Sequence, residues 1–174
     1  YKYYSAGYAS YLSDINLQQD SWDIWDNNMP IANMKSGDIV GYKYFGFGGL
    51  DKDKDGLKAF EGTMPGNKTA FNLFLKPNTD ASFKVNVMLD GPWSNDAWNG
   101  KQIGQIVVPA NSPQEVTKFT IDVSEMVDNL GEKHAIYLVA DGESGNLLDI
   151  IGLGFSSAKK EIVRHVPPTV SIEA

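Results

Sequence analysis

The chain contains no cysteine, which excludes disulfide staples and thiolate metal sites together. That absence does not place it in the cytoplasm, since exported bacterial proteins often lack cysteine as well. Cations are scarce relative to acids, with 15 Lys and Arg against 22 Asp and Glu and a net charge of -7. Nucleic-acid binding rests on cationic contacts to phosphate, so no nucleic-acid partner is expected. An acidic surface also disfavours anionic lipid. No apolar run approaches the roughly 18 residues of a membrane span, so none is expected. The start, Tyr1-Lys2-Tyr3-Tyr4, has neither the charged beginning nor the apolar block of a signal peptide, so the chain reads as a mature protein or an excised domain. Histidine is limited to His134 and His165, one at a predicted strand start and one in the tail, which argues against a paired histidine site. No segment recurs at a fixed period.

What is present is a β pattern. A length of 174 residues suits one domain able to bury a core of its own. Predicted strands are Ile39–Phe47, Ala70–Lys76, Phe83–Leu89, Gln102–Val108, Thr117–Val123, Ala135–Ala140 and Leu147–Phe155, with a further start near Tyr8–Leu12. Phe71, Leu73 and Leu75 alternate with Asn72, Phe74 and Lys76, and Val85, Val87 and Leu89 with Lys84, Asn86 and Met88. A period of two puts one side of each strand in a core and the other towards water or a groove. Phe74 and Met88 interrupt the polar side, so part of it is expected to be covered or to line a concavity. Pro77-Asn78-Thr79-Asp80 and Asp141-Gly142-Glu143-Ser144-Gly145-Asn146 read as turns. The single helical candidate, Ser124 to Leu130, is too short to be a framework element. The expected fold is all-β, an antiparallel β-sandwich of jelly-roll type. Residues 1–156 are assigned to it, with an uncertain N-terminal boundary. Residues 157–174, with Lys159, Lys160, Arg164 and Pro167-Pro168, read as a linker or the start of a following domain.

Five pieces in order resemble carbohydrate-binding module family 6, the jelly-roll modules attached to polysaccharide-degrading enzymes. They are Gly37-Asp38-Ile39-Val40-Gly41-Tyr42-Lys43 followed by Phe47-Gly48, then Val85-Asn86-Val87-Met88-Leu89-Asp90, then Ile103-Gly104-Gln105-Ile106-Val107-Val108-Pro109, then His134-Ala135-Ile136-Tyr137-Leu138-Val139, and Gly145-Asn146-Leu147-Leu148-Asp149 running to Phe155. The version Leu89-Asp90-Gly91-Pro92-Trp93 is similar to modules found behind glycoside hydrolase family 43 catalytic domains. The resemblance implies a loop cleft in which two rings hold a sugar and an asparagine bonds its hydroxyls. Sugar C–H faces pack on rings, and a planar amide donates and accepts at once. The asparagine maps to Asn146 and the first ring position to Asn33; the second falls in Asn111-Ser112-Pro113-Gln114-Glu115. Neither ring position holds an aromatic residue. The resemblance also implies a structural calcium, with acidic ligands at the positions of Ser13 and Ile151, neither of which is acidic.

Tryptophans supply the remaining candidates. Trp93 and Trp98 lie in Gly91-Pro92-Trp93-Ser94-Asn95-Asp96-Ala97-Trp98-Asn99-Gly100. They form either a sugar platform flanked by Asn95, Asp96 and Asn99, or rings folded back to pin a long loop. Trp22 and Trp25, one helical turn apart, either contact ligand or cover an open end of the sandwich. Asp51-Lys52-Asp53-Lys54-Asp55-Gly56 resembles the start of a calcium loop, in which alternate carboxylates converge on a hard cation. Asp51, Asp53 and Asp55 are therefore candidate ligands, although position twelve is Gly62 and Glu61 comes one place early. Gly142-Glu143-Ser144-Gly145 lacks the glycine spacing of a serine nucleophile elbow.

Two functions are consistent with these residues. One is a non-catalytic carbohydrate-binding or accessory module of a secreted or cell-surface glycoside hydrolase, with a polysaccharide or oligosaccharide and the parent chain's catalytic domain as partners. The other is a purely structural domain that packs on that catalytic domain and binds no sugar. No cofactor is required by either beyond the calcium that the resemblance implies.

Overall fold

Alternation along each strand determines which side chains meet. In the computed structural model, which describes residues 4–14, 17, 30–46, 70–123 and 133–156, Phe71, Leu73 and Leu75 are fully buried, as are Val85 and Val87. The strands in chain order are β1 (Tyr4–Ser5), β2 (Tyr11–Leu12), β3 (Ile31–Lys35), β4 (Ile39–Gly46), β5 (Ala70–Pro77), β6 (Phe83–Leu89), β7 (Lys101–Val108), β8 (Thr117–Asp122), β9 (Lys133–Gly142) and β10 (Asn146–Ser156). A single 3-10 turn, Ala6–Tyr8, links β1 to β2. None of the described helices is long and apolar enough to cross a membrane.

The strands form two five-stranded antiparallel sheets. One runs β1-β10-β5-β8 with β3 also paired to β10, and the other runs β2-β4-β9-β6-β7. Their inner faces interdigitate in one apolar core, as two stacked sheets require. Phe45 on β4 meets Phe155 on β10 edge-on at 5.4 Å, and Phe155 meets Phe71 on β5 at 5.2 Å, so three rings tie the sheets together at one end. The predicted β-sandwich is the fold observed, and the seven predicted strands are present within a residue or two at their ends.

Three local features differ from expectation. The strand anticipated near Tyr8–Leu12 is confined to Tyr11–Leu12, because Ala6–Tyr8 turns as a 3-10 segment. Strand β3 was not foreseen. Asn33 within it has φ 57, and the pairing with β10 shifts register on either side of Leu148, so the bulge destroys the alternation that would have marked it. Asn72, placed by pattern on the polar side, is only 4% exposed. Its Oδ1 accepts the Thr120 hydroxyl at 2.7 Å and its Nδ2 donates to Ser156 Oγ at 3.1 Å, which satisfies the amide on a buried stretch. The helical candidate Ser124 to Leu130 and residues 157–174 lie outside the described residues.

The outer face of the second sheet carries a small apolar cluster of its own. Ile39, Met88, Ala135 and Tyr137 are buried there, with Tyr11 and Val139 packed against them. Strand register explains the grouping: Tyr11 pairs with Gly41, Gly41 with Tyr137, and Tyr137 with Met88. The interruption that Met88 makes in the polar face is therefore a buried patch, and Trp98 from the loop that follows β6 packs on its neighbours Tyr11 and Tyr137.

Candidate functional site

The β6–β7 connection departs through Asp90, which has φ 64, a backbone conformation that an L-residue adopts only with local support. The support is visible. Asp90 N–H donates to the Ala135 carbonyl at 2.8 Å, and Ala135 N–H donates to Asp90 Oδ1 at 3.1 Å. Asp90 Oδ2 lies 2.6 Å from His134 Nδ1. Further along, Asn95 closes a tight turn: its Oδ1 accepts Trp98 N–H at 3.0 Å and its carbonyl accepts Asn99 N–H at 2.6 Å. Asn99 is left-handed, with φ 54. The loop closes on itself where Gly100 N–H donates to the Trp93 carbonyl at 2.7 Å. A Cβ on Gly100 would fall on the Gly91 carbonyl, so the two glycines permit the close approach of the loop's two ends.

This loop folds back over the sheet. Trp98 meets Tyr11 edge-on at 6.1 Å and Tyr137 at 6.2 Å, while Tyr11 and Tyr137 meet at 6.0 Å. The edge-to-face geometry of all three contacts is the favoured one for aromatic pairs. Trp93 contacts this group only through Trp98, at 6.0 Å and an interplanar angle of 70°. Trp93 is 44% exposed and Trp98 37%. Trp98 thus pins the loop to the sheet, and Trp93 lies outside it, against Trp98. Ser94, Asn95, Asp96 and Asn99 surround the pair and are exposed.

Asn33 and Asn146 lie elsewhere. Both sit on the paired strands β3 and β10, where Asn146 faces Lys35. Asn33 N–H donates to Asp149 Oδ1 at 2.8 Å, and Asn78 Nδ2 donates to the same oxygen at 2.8 Å. Lys76 Nζ donates to Asn78 Oδ1 at 2.7 Å. This is a polar patch in which none of the named residues is aromatic. The segment expected to carry a second ring, Asn111 to Glu115, is an exposed turn with Asn111 at φ 62. The patch is also remote from the tryptophans. Trp98 packs on Tyr137 in the middle of β9, whereas Asn146 follows the far end of β9 at Gly142, roughly 17 Å away along the strand at ~3.3 Å per residue. A pocket of 310 Å³ lined by Ser82, Phe83, Lys84, Val107, Asp141, Gly142 and Glu143 lies at that far end too. The structure therefore brings Trp93 and Trp98 together, leaves Asn33 and Asn146 near each other, and separates the two pairs.

Trp22, Trp25, Asp51, Asp53 and Asp55 lie outside the described residues. The positions to which the resemblance assigns calcium ligands do not fit that ion. Ser13 Oγ accepts Ile39 N–H at 2.9 Å, which commits it to fixing β2 beside β4, and Ile151 has no oxygen in its side chain. Among the described residues no three His, Asp or Glu side chains converge as a metal site.

Tyr11, Tyr137, Asp90 and His134 were not identified as site residues from sequence. Tyr11 and Tyr137 sit on strands far apart in the chain, and only the register through Gly41 makes them neighbours. The one available signal for Asp90 was its place before Gly91-Pro92 at the end of a strand.

No family model matches the chain, and no curated protein matches it. Solved structures do share its fold. The module CsCBM6-3 from Clostridium stercorarium, in complex with cellobiose, is 17% identical with a TM-score of 0.59, over 90% of this chain and 93% of that one. A glycoside hydrolase family 43 arabinoxylan arabinofuranohydrolase from Bacillus subtilis, in complex with cellotetraose, is 20% identical with a TM-score of 0.62, over 90% of this chain but only 27% of that one. A carbohydrate-binding module of family 36, in complex with calcium and xylotriose, is 11% identical with a TM-score of 0.52, over 90% of this chain and all of that one. At these identities the likeness is one of fold, the carbohydrate-binding-module β-sandwich.

Proposed function

We propose that this chain is a non-catalytic sugar-binding module whose contact surface is the tryptophan loop. The observation that carries this reading is Trp93, a ring 44% exposed and set against a buttressed neighbour. A ring fixed in this way offers an apolar face to sugar C–H groups with little conformational entropy left to lose on binding. The exposed Asn95, Asp96 and Asn99 side chains beside it supply donors and acceptors for hydroxyls. Shared fold with modules solved on cellobiose and xylotriose supports a glycan as ligand by analogy of fold alone.

The wider setting belongs to the same proposal. The module is secreted or cell-surface, residues 1–156 form it, and residues 157–174 are a linker or the start of a following domain in a polysaccharide-degrading enzyme. Its role there is tethering, which raises the effective concentration of the catalytic partner at the glycan without new chemistry.

A second reading is favoured by one observation. Trp93 and Trp98 lie side by side, both exposed, over the buried cluster on the sheet's outer face, and adjacent exposed rings are also the kind of surface that a neighbouring domain covers. Affinity electrophoresis against xylan, arabinan, β-glucan and galactan, with tryptophan fluorescence titration, separates the two. Retardation by one glycan that Trp93→Ala abolishes establishes the sugar site. Retardation by none sinks it in favour of the docking domain.

A further inference from the structure

We infer that Asp90 is a positioning residue for the Trp93–Trp98 pair, acting through Ala135 and His134 on β9. The inference rests on the proposed sugar site and adds a residue that touches no ligand. A left-handed aspartate at the end of a strand usually needs no special explanation, since its short side chain can bond locally. Here the carboxylate is used differently. Both of its oxygens reach across to the neighbouring strand, to the Ala135 amide at 3.1 Å and the His134 imidazole at 2.6 Å. Its own N–H reaches the same strand, at the Ala135 carbonyl. A carboxylate only accepts, so the proton in the imidazole bond sits on His134 Nδ1.

The consequence is geometric. Met88 and Leu89 are the last ladder residues of β6, paired with Tyr137 and Ile136. The three Asp90 bonds extend this attachment one residue beyond the ladder, after which the chain reverses. The reversal brings Trp98 back over Tyr137 and Tyr11 instead of letting the loop project along the strand axis. Trp93, which reaches the group only through Trp98, inherits its position from this latch. A misplacement of its ring by about an ångström is enough to weaken a preorganised contact.

Two substitutions separate a latch from a mere turn residue. Glycine adopts a φ near 60° without strain, so Asp90→Gly keeps the reversal and removes only the carboxylate. Asp90→Asn keeps a left-handed-tolerant residue with an acceptor for Ala135 and a donor for the other tautomer of His134. The readout independent of sugar is the exciton couplet of the Trp93–Trp98 pair in far-ultraviolet circular dichroism, isolated by difference against Trp93→Ala. The expected result is a couplet lost in Asp90→Gly and retained in Asp90→Asn. Affinity for the retarding glycan should fall about tenfold in the former and stay near the parent value in the latter. If Asp90→Gly keeps both couplet and affinity, the latch is refuted. Should that variant not fold, His134→Ala, which removes one of the three bonds, must weaken the couplet for the inference to stand. A parent protein that no glycan retards overturns the sugar reading, while the couplet still decides whether Asp90 positions the rings.

Discussion

Gly41 and Tyr137 are cross-strand partners, and the side chain that Gly41 lacks is the space that the Tyr137 ring occupies. A Cβ at Gly41 would lie 2.6 Å from Tyr137 Cε2 and 2.8 Å from Cδ2, with Tyr11 Cβ at 3.2 Å. An aromatic ring laid over a strand glycine is a known device for pinning register. Tyr137 cannot retreat easily, because it is 6% exposed and meets Trp98 and Tyr11 on its other sides. Gly41→Ala should therefore destabilise the fold by about 1–3 kcal/mol through overpacking, against the roughly 0.5–1 kcal/mol that alanine would otherwise contribute in a strand. Thermal melting checks the sign, and a shift in tryptophan emission shows that the strain is relayed to Trp98.

Trp93→Ala and Trp98→Ala should part company. Trp98 makes three edge contacts, at about 0.5–1.5 kcal/mol each beyond area burial, so its loss should lower stability by about 2 kcal/mol and weaken sugar binding with it. Among the described residues Trp93 makes one such contact. Its loss should reduce affinity at least about tenfold with a melting temperature close to the parent's. Chemical denaturation and affinity electrophoresis on the same samples test the split, and equal losses of stability in both variants would contradict it.

Tyr42→Phe probes the attachment of the N-terminal segment. The Tyr42 hydroxyl is buried and donates to the Ala6 carbonyl at 2.8 Å. That carbonyl also accepts Ala9 N–H at 3.3 Å, so it is not left wholly without a partner. The expected cost is about 1 kcal/mol, or about 2–4 °C in melting temperature for a domain of this size. Differential scanning calorimetry measures it, and an unchanged melting temperature would show that this bond adds nothing to the fold.

The sandwich was legible because its long strands obey a period of two with few exceptions. Phe71, Leu73 and Leu75, or Val85, Val87 and Leu89, announce which face is core before any partner is known. Strand β3 was illegible for the converse reason: the left-handed Asn33 breaks the period in a strand of five residues. The site was half legible. Loop position and ring chemistry picked out Trp93 and Trp98, but whether they face ligand or sheet depends on what lies beneath them. Tyr11, Tyr137 and Gly41 come together only through strand register, which is a property of the whole sheet and of no local segment. The same limit hides from the sequence that half of β9, from Tyr137 to Gly142, separates Asn146 from the tryptophans.

That separation gives the sharpest contrast between the two candidate surfaces. Asn146 is exposed at the start of β10, three residues before Asp149, whose carboxylate gathers Asn33 and Asn78 into a patch that offers hydroxyl-bonding groups but no ring among those residues. Without an apolar face, polar groups exchange water for sugar hydroxyls at little net gain. Asn146→Ala should therefore leave glycan affinity within about twofold of the parent, in a protein whose Trp93→Ala variant loses it. Asn33 adds a control on structure. At φ 57 it should tolerate glycine and resist alanine, with Asn33→Ala less stable by about 1–2 kcal/mol, again with glycan affinity retained. Isothermal titration with the retarding glycan and urea melts on both variants supply the numbers. A loss of affinity in Asn146→Ala that Trp93→Ala does not share would move the binding surface to the β3–β10 patch, and the tryptophan loop would then serve only to seal the outer face of the sheet.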